Sequence, residues 1–379
     1  MNSGMTRRLA STLSALLACG LVTAAGSSPG LPQRRPVNEF VGDLPALRRA
    51  DHVGRDGTVR AYATHAQCQF EMTVGTDPRT ALPVVADESA RRIADCLAAA
   101  VAEGANVLIL PELSLAFREA TRKDVLESIR RTARERQMIV LAGSYYDSSR
   151  ASRLPVIGPG WEELGYKMHP SRFESSPRQG RGMSAGKELL LVATPFGRIM
   201  PLTCVDLISD GVQYVVRNLA TRGQVDVIAN VNFNPAAWEF MIEANSLARR
   251  HPVFVSITNV ASAGDAKLQE DCQRTGDTGY CYGNSSLFGN LRERDADCPN
   301  CARSIVDLLG PPFISGSTRT LPYDALVAVI PPFQASVLVY DLNLRLTREP
   351  ATTNAPDQGY PTVRNVRRIA LQPATTAKE

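Results

Sequence analysis

The chain is short of several things that would have narrowed its chemistry quickly. Four histidines in 379 residues leave little for a histidine-based metal centre. His52, His65 and His251 show no ligand spacing. One Cys-x-x-Cys run exists, Cys298-Pro-Asn-Cys301, with neither a second such pair nor a His-x-x-x-His run to complete the four ligands of a structural zinc. We therefore expect no metal. Charge of one sign is scarce as well. The 42 basic and 38 acidic residues leave a formal charge of +4, which gives no reason to invoke nucleic acid or an anionic membrane surface as a partner. There is no internal repeat. The longest apolar run, near the N-terminus, is too short to span a bilayer comfortably.

That run has a different reading. Arg7 and Arg8 precede an apolar or small stretch, Leu9–Val22, followed by small residues at Thr23–Gly26. This is the pattern of an export signal, taken here as residues 1–25. Leu16-Leu17-Ala18-Cys19 also resembles a bacterial lipobox, which would cleave before Cys19 and lipidate it, tethering the protein to a membrane. A periplasmic or secreted location follows from the signal. The other cysteines agree with it. Setting aside Cys19 and Cys204, six remain, an even number suited to an oxidising compartment. The local pairs Cys272–Cys281 and Cys298–Cys301 are natural candidates, leaving Cys68 with Cys96, although sequence alone does not fix connectivity.

Residues 26–58 are rich in Pro, Gly, Arg and Ser and read as a linker or surface arm. Beyond them strands and helices alternate. Tyr62–Val74 reads as a strand, and Asp87–Gly104 as a helix from its apolar spacing. Asn106–Leu110 and Met138–Ala142 are continuous apolar runs, the signature of strands buried on both faces, and Lys123–Gln137 between them is an amphipathic helix. Leu189–Ala193 and Arg198–Thr203 form an expected hairpin around Pro195-Phe196-Gly197. Gly211–Arg222, Val225–Val231, Trp238–Arg250 and Val253–Asn259 continue the alternation, which argues an α/β protein. Ser262–Tyr282 and Asn290–Pro322 break the rhythm as irregular, cysteine-bearing insertions. Asn284–Phe288 and Ala335–Leu342 read as late strands. The main domain is expected over residues 59–345, with 346–379 an arm or frayed tail.

Three strand ends carry residues that could do chemistry. Glu112 follows an apolar run and Pro111, whose missing N–H ends a ladder and would project the next side chain into a cleft. Partial desolvation there would raise the carboxylate toward general-base range; as a plain helix N-terminal glutamate it would merely complement the helix dipole. Cys204 ends Ile199–Thr203 at a turn, where backbone N–H groups can face an oxyanion and a helix start favours thiolate. A buried structural cysteine is the commoner fate of such a thiol. Lys167, in Tyr166-Lys167-Met168-His169, could stabilise an oxyanion or hold a carboxylate ionised, or could be a simple exposed lysine. His169 reads as a hydrogen-bonded structural histidine, because Glu112 can supply the base.

The order and spacing of ANVLILPELS (Ala105–Ser114), GYKMHP (Gly165–Pro170) and MPLTCVDL (Met200–Leu207) resemble the carbon–nitrogen hydrolase (nitrilase-like) superfamily, over roughly Ala61–Asp341. Thr194–Arg198, Asn232–Trp238 (NFNPAAW), Ala248-Arg249-Arg250, Asn259 and Gly283–Ser286 support it. The resemblance implies a four-layer αββα sandwich, here with cysteine-bearing loop insertions, that is usually dimeric, so we expect a homo-oligomer. It also implies a Glu112–Lys167–Cys204 site acting on a small amide-type substrate through an acyl-enzyme, with no cofactor. Val205-Asp206 after the nucleophile favours the amidase side, since Asp206 matches amidase-like branches, while Val205 matches neither habit. The family often carries a further glutamate between the lysine and the cysteine. The matching segment, Gln179–Gly186, has glutamine there, with Glu174 as the alternative. Gln179, Val205, Asp206, Asn232 and Trp238 are the expected substrate contacts. An acyltransferase using the same intermediate, or an inactive binding protein on the same fold, are the other readings.

Overall fold

The computed structural model describes residues 44–54, 59–78, 82–171, 174, 182–264, 266–275, 281–289, 325–344, 347 and 363–372. The export signal, Cys19, Gln179, Cys298 and Cys301 lie outside these residues.

The chain runs through β1 (Ala46–Asp51), β2 (Tyr62–Gln69) and a short hairpin of β3 (Val74–Thr76) and β4 (Pro83–Val85). Next come α1 (Ser89–Ala102), β5 (Val107–Ile109), α2 (Glu119–Arg136) and β6 (Ile139–Leu141). β7 (Tyr145–Tyr146), β8 (Ser152–Gly158) and β9 (Trp161–Tyr166) follow, and then the hairpin of β10 (Glu188–Thr194) and β11 (Gly197–Thr203). The remainder is α3 (Asp210–Thr221), β12 (Val227–Val231), α4 (Ala237–Arg250), β13 (Phe254–Thr258), α5 (Ala266–Thr275), β14 (Ser286–Phe288), β15 (Leu326–Val329), β16 (Ser336–Asn343) and β17 (Val363–Ala370).

Two large sheets result. One has the order β1-β10-β11-β12-β13-β14-β15; the other has β17-β16-β2-β5-β6-β8-β7, with β9 paired to β8. Their side chains sort into three apolar layers. Leu108, Val140 and Val337 point from the second sheet toward Ile93, Leu97, Ile129 and Ala133 of α1 and α2. Val107, Ile109, Leu141 and Val156 point the other way and meet Val192, Val227, Ala229 and Phe254 of the first sheet. Met200, Leu202, Ile228 and Val255 leave the first sheet's far face and pack on Val216, Phe240, Ala244 and Leu247 of α3 and α4. Three apolar layers separate four structural ones, so the fold is an αββα sandwich. The continuous apolar runs follow from it, because successive residues of a strand face opposite sides and here both sides are covered.

The structure extends the sequence reading at four places. The expected arm at 26–58 contains β1, which pairs in parallel with β10. Arg48 fixes it there, bonding Glu163, Glu188 and the Leu164 carbonyl. The expected tail at 346–379 contains β17, antiparallel to β16. The Ser262–Tyr282 insertion is not wholly irregular, since it holds α5. The strand end expected at Lys167 is that of β9, whose hairpin partner β8 had no strand expectation. The disulfides Cys68–Cys96 and Cys272–Cys281 are formed as paired above.

Candidate active site

β11, β12 and β13 are parallel and in register, Thr203 beside Val231 and Val231 beside Thr258. Whatever follows these residues therefore gathers at one edge of the first sheet. Cys204 follows Thr203, Asn232-Phe233-Asn234 follow Val231, and Asn259 follows Thr258. In the second sheet β5 delivers Leu110-Pro111-Glu112, and β9 delivers Lys167.

The Glu112 turn is held from below. Leu113 has a left-handed backbone, φ 65°, and its N–H donates to Ser144 Oγ at 3.0 Å. Ser114 Oγ donates to the Pro111 carbonyl at 2.7 Å. Gly143 makes this approach feasible. Its φ is +75°, and a Cβ there would lie 2.2 Å from the Pro111 oxygen. Lys167 is anchored by its N–H, which donates to the Ser152 carbonyl at 3.0 Å.

The side chains then converge. Lys167 Nζ, 2% exposed, donates to Glu112 Oε1 at 2.8 Å and to Glu174 Oε2 at 2.7 Å. Glu112 Oε2 accepts the Phe233 N–H at 3.0 Å. Glu174 Oε2 also accepts the Ser171 N–H at 2.8 Å, and Glu174 Oε1 accepts the Tyr146 hydroxyl. Cys204 opens a 3₁₀ turn, Cys204–Ile208, with φ 50°. It is buried, its thiol is free, and the Asn234 side chain hydrogen-bonds it.

Electrostatics distinguish the members. Burial raises the Glu112 carboxyl; Lys167 opposes that rise and Glu174 adds to it, leaving Glu112 above the usual carboxylate range. Burial also works upward on Glu174, but Lys167, the Tyr146 hydroxyl and the Ser171 N–H outweigh it and hold Glu174 low. Burial disfavours the Lys167 ammonium, yet the neighbouring Glu112 and Glu174 carboxylates push it well above its ordinary value. Burial, then the Glu112 and Glu174 charges, raise the Cys204 thiol. Burial thus disfavours the thiolate and the ionised Glu112, while the charged forms of Lys167 and Glu174 are favoured.

Glu112, Lys167 and Cys204 are brought together as expected, and Glu174, the alternative to Gln179, places a second carboxylate on Lys167. Asp206 is a correction. It is fully buried, and its carboxylate accepts the N–H groups of Met168 (3.0 and 3.1 Å) and His169 (2.9 Å). These bonds tie the Cys204 turn to the Lys167 strand end and occupy both carboxylate oxygens. His169 Nδ1 lies 3.3 Å from the same carboxylate, in the structural role expected of it. Asn232 likewise bonds within its own strand: its Nδ2 donates to the Asn230 carbonyl, and its Oδ1 accepts from Asn230 Nδ2, both at 3.2 Å. Val205 is half-buried against the outer apolar layer, and Trp238 is half-buried on the first turn of α4. Tyr146 and Asn234 were missed. Asn234 lay within the quoted NFNPAAW segment, whereas nothing in the sequence singled out Tyr146. Among the described residues no cluster of three or more His, Cys, Asp or Glu side chains could hold a metal ion.

No family model matches the chain, and no curated protein matches it. Among solved structures it is similar to a CN-hydrolase superfamily protein of Xanthomonas campestris described with an arsenic adduct in its active site, at 17% identity over 74% of this chain and 90% of that one, with a TM-score of 0.47. It is also similar to a cysteine-to-alanine mutant of the Nesterenkonia AN1 amidase from the nitrilase superfamily, at 14% identity over 76% of this chain and 93% of that one, with a TM-score of 0.49.

Proposed function

We propose that the protein belongs to the carbon–nitrogen hydrolase superfamily and hydrolyses non-peptide C–N bonds of small amide-type substrates through an acyl-enzyme on Cys204. The observation that carries this reading is the buried Lys167 ammonium bridging Glu112 and Glu174 beside the free Cys204 thiol. An unpartnered structural cysteine does not need such a cluster next to it, whereas an acyl-transfer nucleophile needs a base, a cation and a fixed turn.

The steps follow from the groups present. Glu112 takes the thiol proton as Sγ attacks the carbonyl carbon. The oxyanion of the tetrahedral intermediate is met by Lys167 Nζ and by a backbone N–H near Val205. Protonated Glu112 gives its proton to the departing nitrogen, the C–N bond breaks, and ammonia or an amine leaves a thioester. Water then attacks the thioester, Glu112 takes the water's proton, and the acid leaves with the thiol restored. Burial and the neighbouring carboxylates push the Cys204 thiol up, which favours proton transfer to Glu112 in step with attack.

We place the protein outside the cytosol, as a homo-oligomer. The leader-like N-terminus and the two disulfides support export, since disulfides persist in oxidising compartments. No described helix is long and apolar enough to cross a membrane.

The test is a panel of small amides, ureides and nitriles assayed for released ammonia or amine, with mass spectrometry of the protein during turnover. A mass increment on Cys204 is expected. Cys204→Ala should lose on the order of 10⁴-fold or more in kcat while its thermal unfolding stays close to that of the parent. If a thiol-directed probe labels the native protein but leaves Cys204 unmodified, the reading is wrong.

A further inference from the structure

Two buried carboxylates share one ammonium, and something must decide which of them becomes the base. With Lys167 charged and both glutamates ionised, the cluster carries one uncompensated negative charge out of water. Carboxylates in that situation do not titrate alike: one is driven up and the other held down. The ammonium is close to neutral in the choice, since it lies 2.8 Å from one and 2.7 Å from the other. The remaining donors are not symmetric. Glu112 has one, the Phe233 N–H. Glu174 has two, the Ser171 N–H and the Tyr146 hydroxyl. Each donor to an anionic oxygen favours the ionised form. The Ser171 and Phe233 amides roughly offset one another, which leaves the Tyr146 hydroxyl as the unmatched donor.

We propose that Tyr146 is the positioning residue that assigns the base: its hydroxyl holds Glu174 ionised, so that the proton the pair acquires goes to Glu112. The Tyr146 hydroxyl donates to Glu174. It acts through Glu174. The side chain is half-buried, and its own ionisation is suppressed by burial and by the neighbouring carboxylates, so it stays a donor across the working range. The titratable groups facing the pair are Lys167, Tyr146 and Cys204.

This inference rests on the reading of Cys204 as nucleophile and Glu112 as its base, and the experiment separates the two. The rate of Cys204 alkylation by iodoacetamide is measured against pH in the full chain, with the modified residue confirmed by mass spectrometry. In the parent the rate should fall at low pH as Glu112 is protonated. In Tyr146→Phe the proton should pass to Glu174, so Glu112 stays ionised further into acid. That low-pH limb should then move down by about one pH unit, the change expected for one lost hydrogen bond to a carboxylate. A merely structural Tyr146 would lower the rate without moving the limb. Glu174→Gln should move the limb in the same direction, and adding Tyr146→Phe to it should move it no further. If the parent shows no low-pH limb at Cys204, the proposed function fails. If the parent shows the limb but Tyr146→Phe leaves it in place or moves it upward, or if the two substitutions shift it additively, the assignment to Tyr146 is overturned.

Discussion

The two sides of the candidate site are built by opposite means. On the base side, Glu112, Lys167 and Glu174 are locked in a hydrogen-bonded charge cluster in which every carboxylate oxygen has a donor. On the nucleophile side, Cys204 lies among Met168, Leu202 and Leu207 in the outer apolar layer. Its position comes from a left-handed backbone and from the Asp206 clamp on the neighbouring strand end. The difference shows where rigidity is needed. A general base must present one oxygen at one distance, so it is held by polar bonds. A thiol in the nucleophilic role proposed for Cys204 needs a fixed turn and a dry wall.

Glu112→Gln strikes the base side hardest. The amide keeps its shape but cannot take a proton, so kcat/KM should fall on the order of 10²–10⁴-fold, read with whichever amide the panel identifies. Turnover within tenfold of the parent would remove Glu112 from the role of base.

Gly143→Ala tests the support beneath Glu112. A methyl group would sit 2.2 Å from the Pro111 oxygen at a residue with φ +75°, so a loss of about 2–4 kcal/mol is expected in denaturant unfolding. Gly104→Ala is the comparison. It has a similar φ of +67° but nothing within 4 Å of the new carbon, and should cost only about 1 kcal/mol. Equal losses would mean that close packing under Glu112 contributes nothing beyond backbone strain.

His169→Gln should give the smallest effect, on the nucleophile side. Asp206 raises the imidazole above its ordinary 6.5 in the folded protein. The resulting stability is fully present below about pH 6.5 and is lost as pH rises through the folded value. The ring is 45% exposed, so the contribution should stay under about 1 kcal/mol. Unfolding free energies of parent and variant should differ most near pH 5 and converge in mild base. A difference that grows with pH would contradict the Asp206–His169 pair.

Much of this was legible in the chain because burial on both faces writes continuous apolar runs. Asn106–Leu110 and Met138–Ala142 were read that way and hold β5 and β6, and the strands expected at Val225–Val231 and Val253–Asn259 are β12 and β13. The residues missed share a different cause. β1 has no apolar run; it is fixed by Arg48 reaching partners far away in sequence. β8 contains Pro155, which argues against a strand locally, but it is held by pairing with β9 along its length. Within the site, each strand end announced its own residue. Glu174 and Tyr146 did not, because their importance exists only once the fold has laid them against Lys167 and each other. Asp206 was legible as a residue but misread in role, since its partners are backbone amides of another segment, and those carry no sequence signature.

The parallel pairing of β1 with β10 bears on the order of assembly. Arg48 meets Glu188 across 140 residues of chain, so closing this ladder costs more chain entropy than the local pairings do and is expected late. Contacts of such span follow loop closure and are late to reward it. Until then β10 presents an unpaired edge, a template on which another copy can add a strand. The N-terminal strand is therefore a closing step that ends the period in which the growing sheet is open to self-association, and a chain shortened past Asp51 should aggregate during refolding more than it loses final stability.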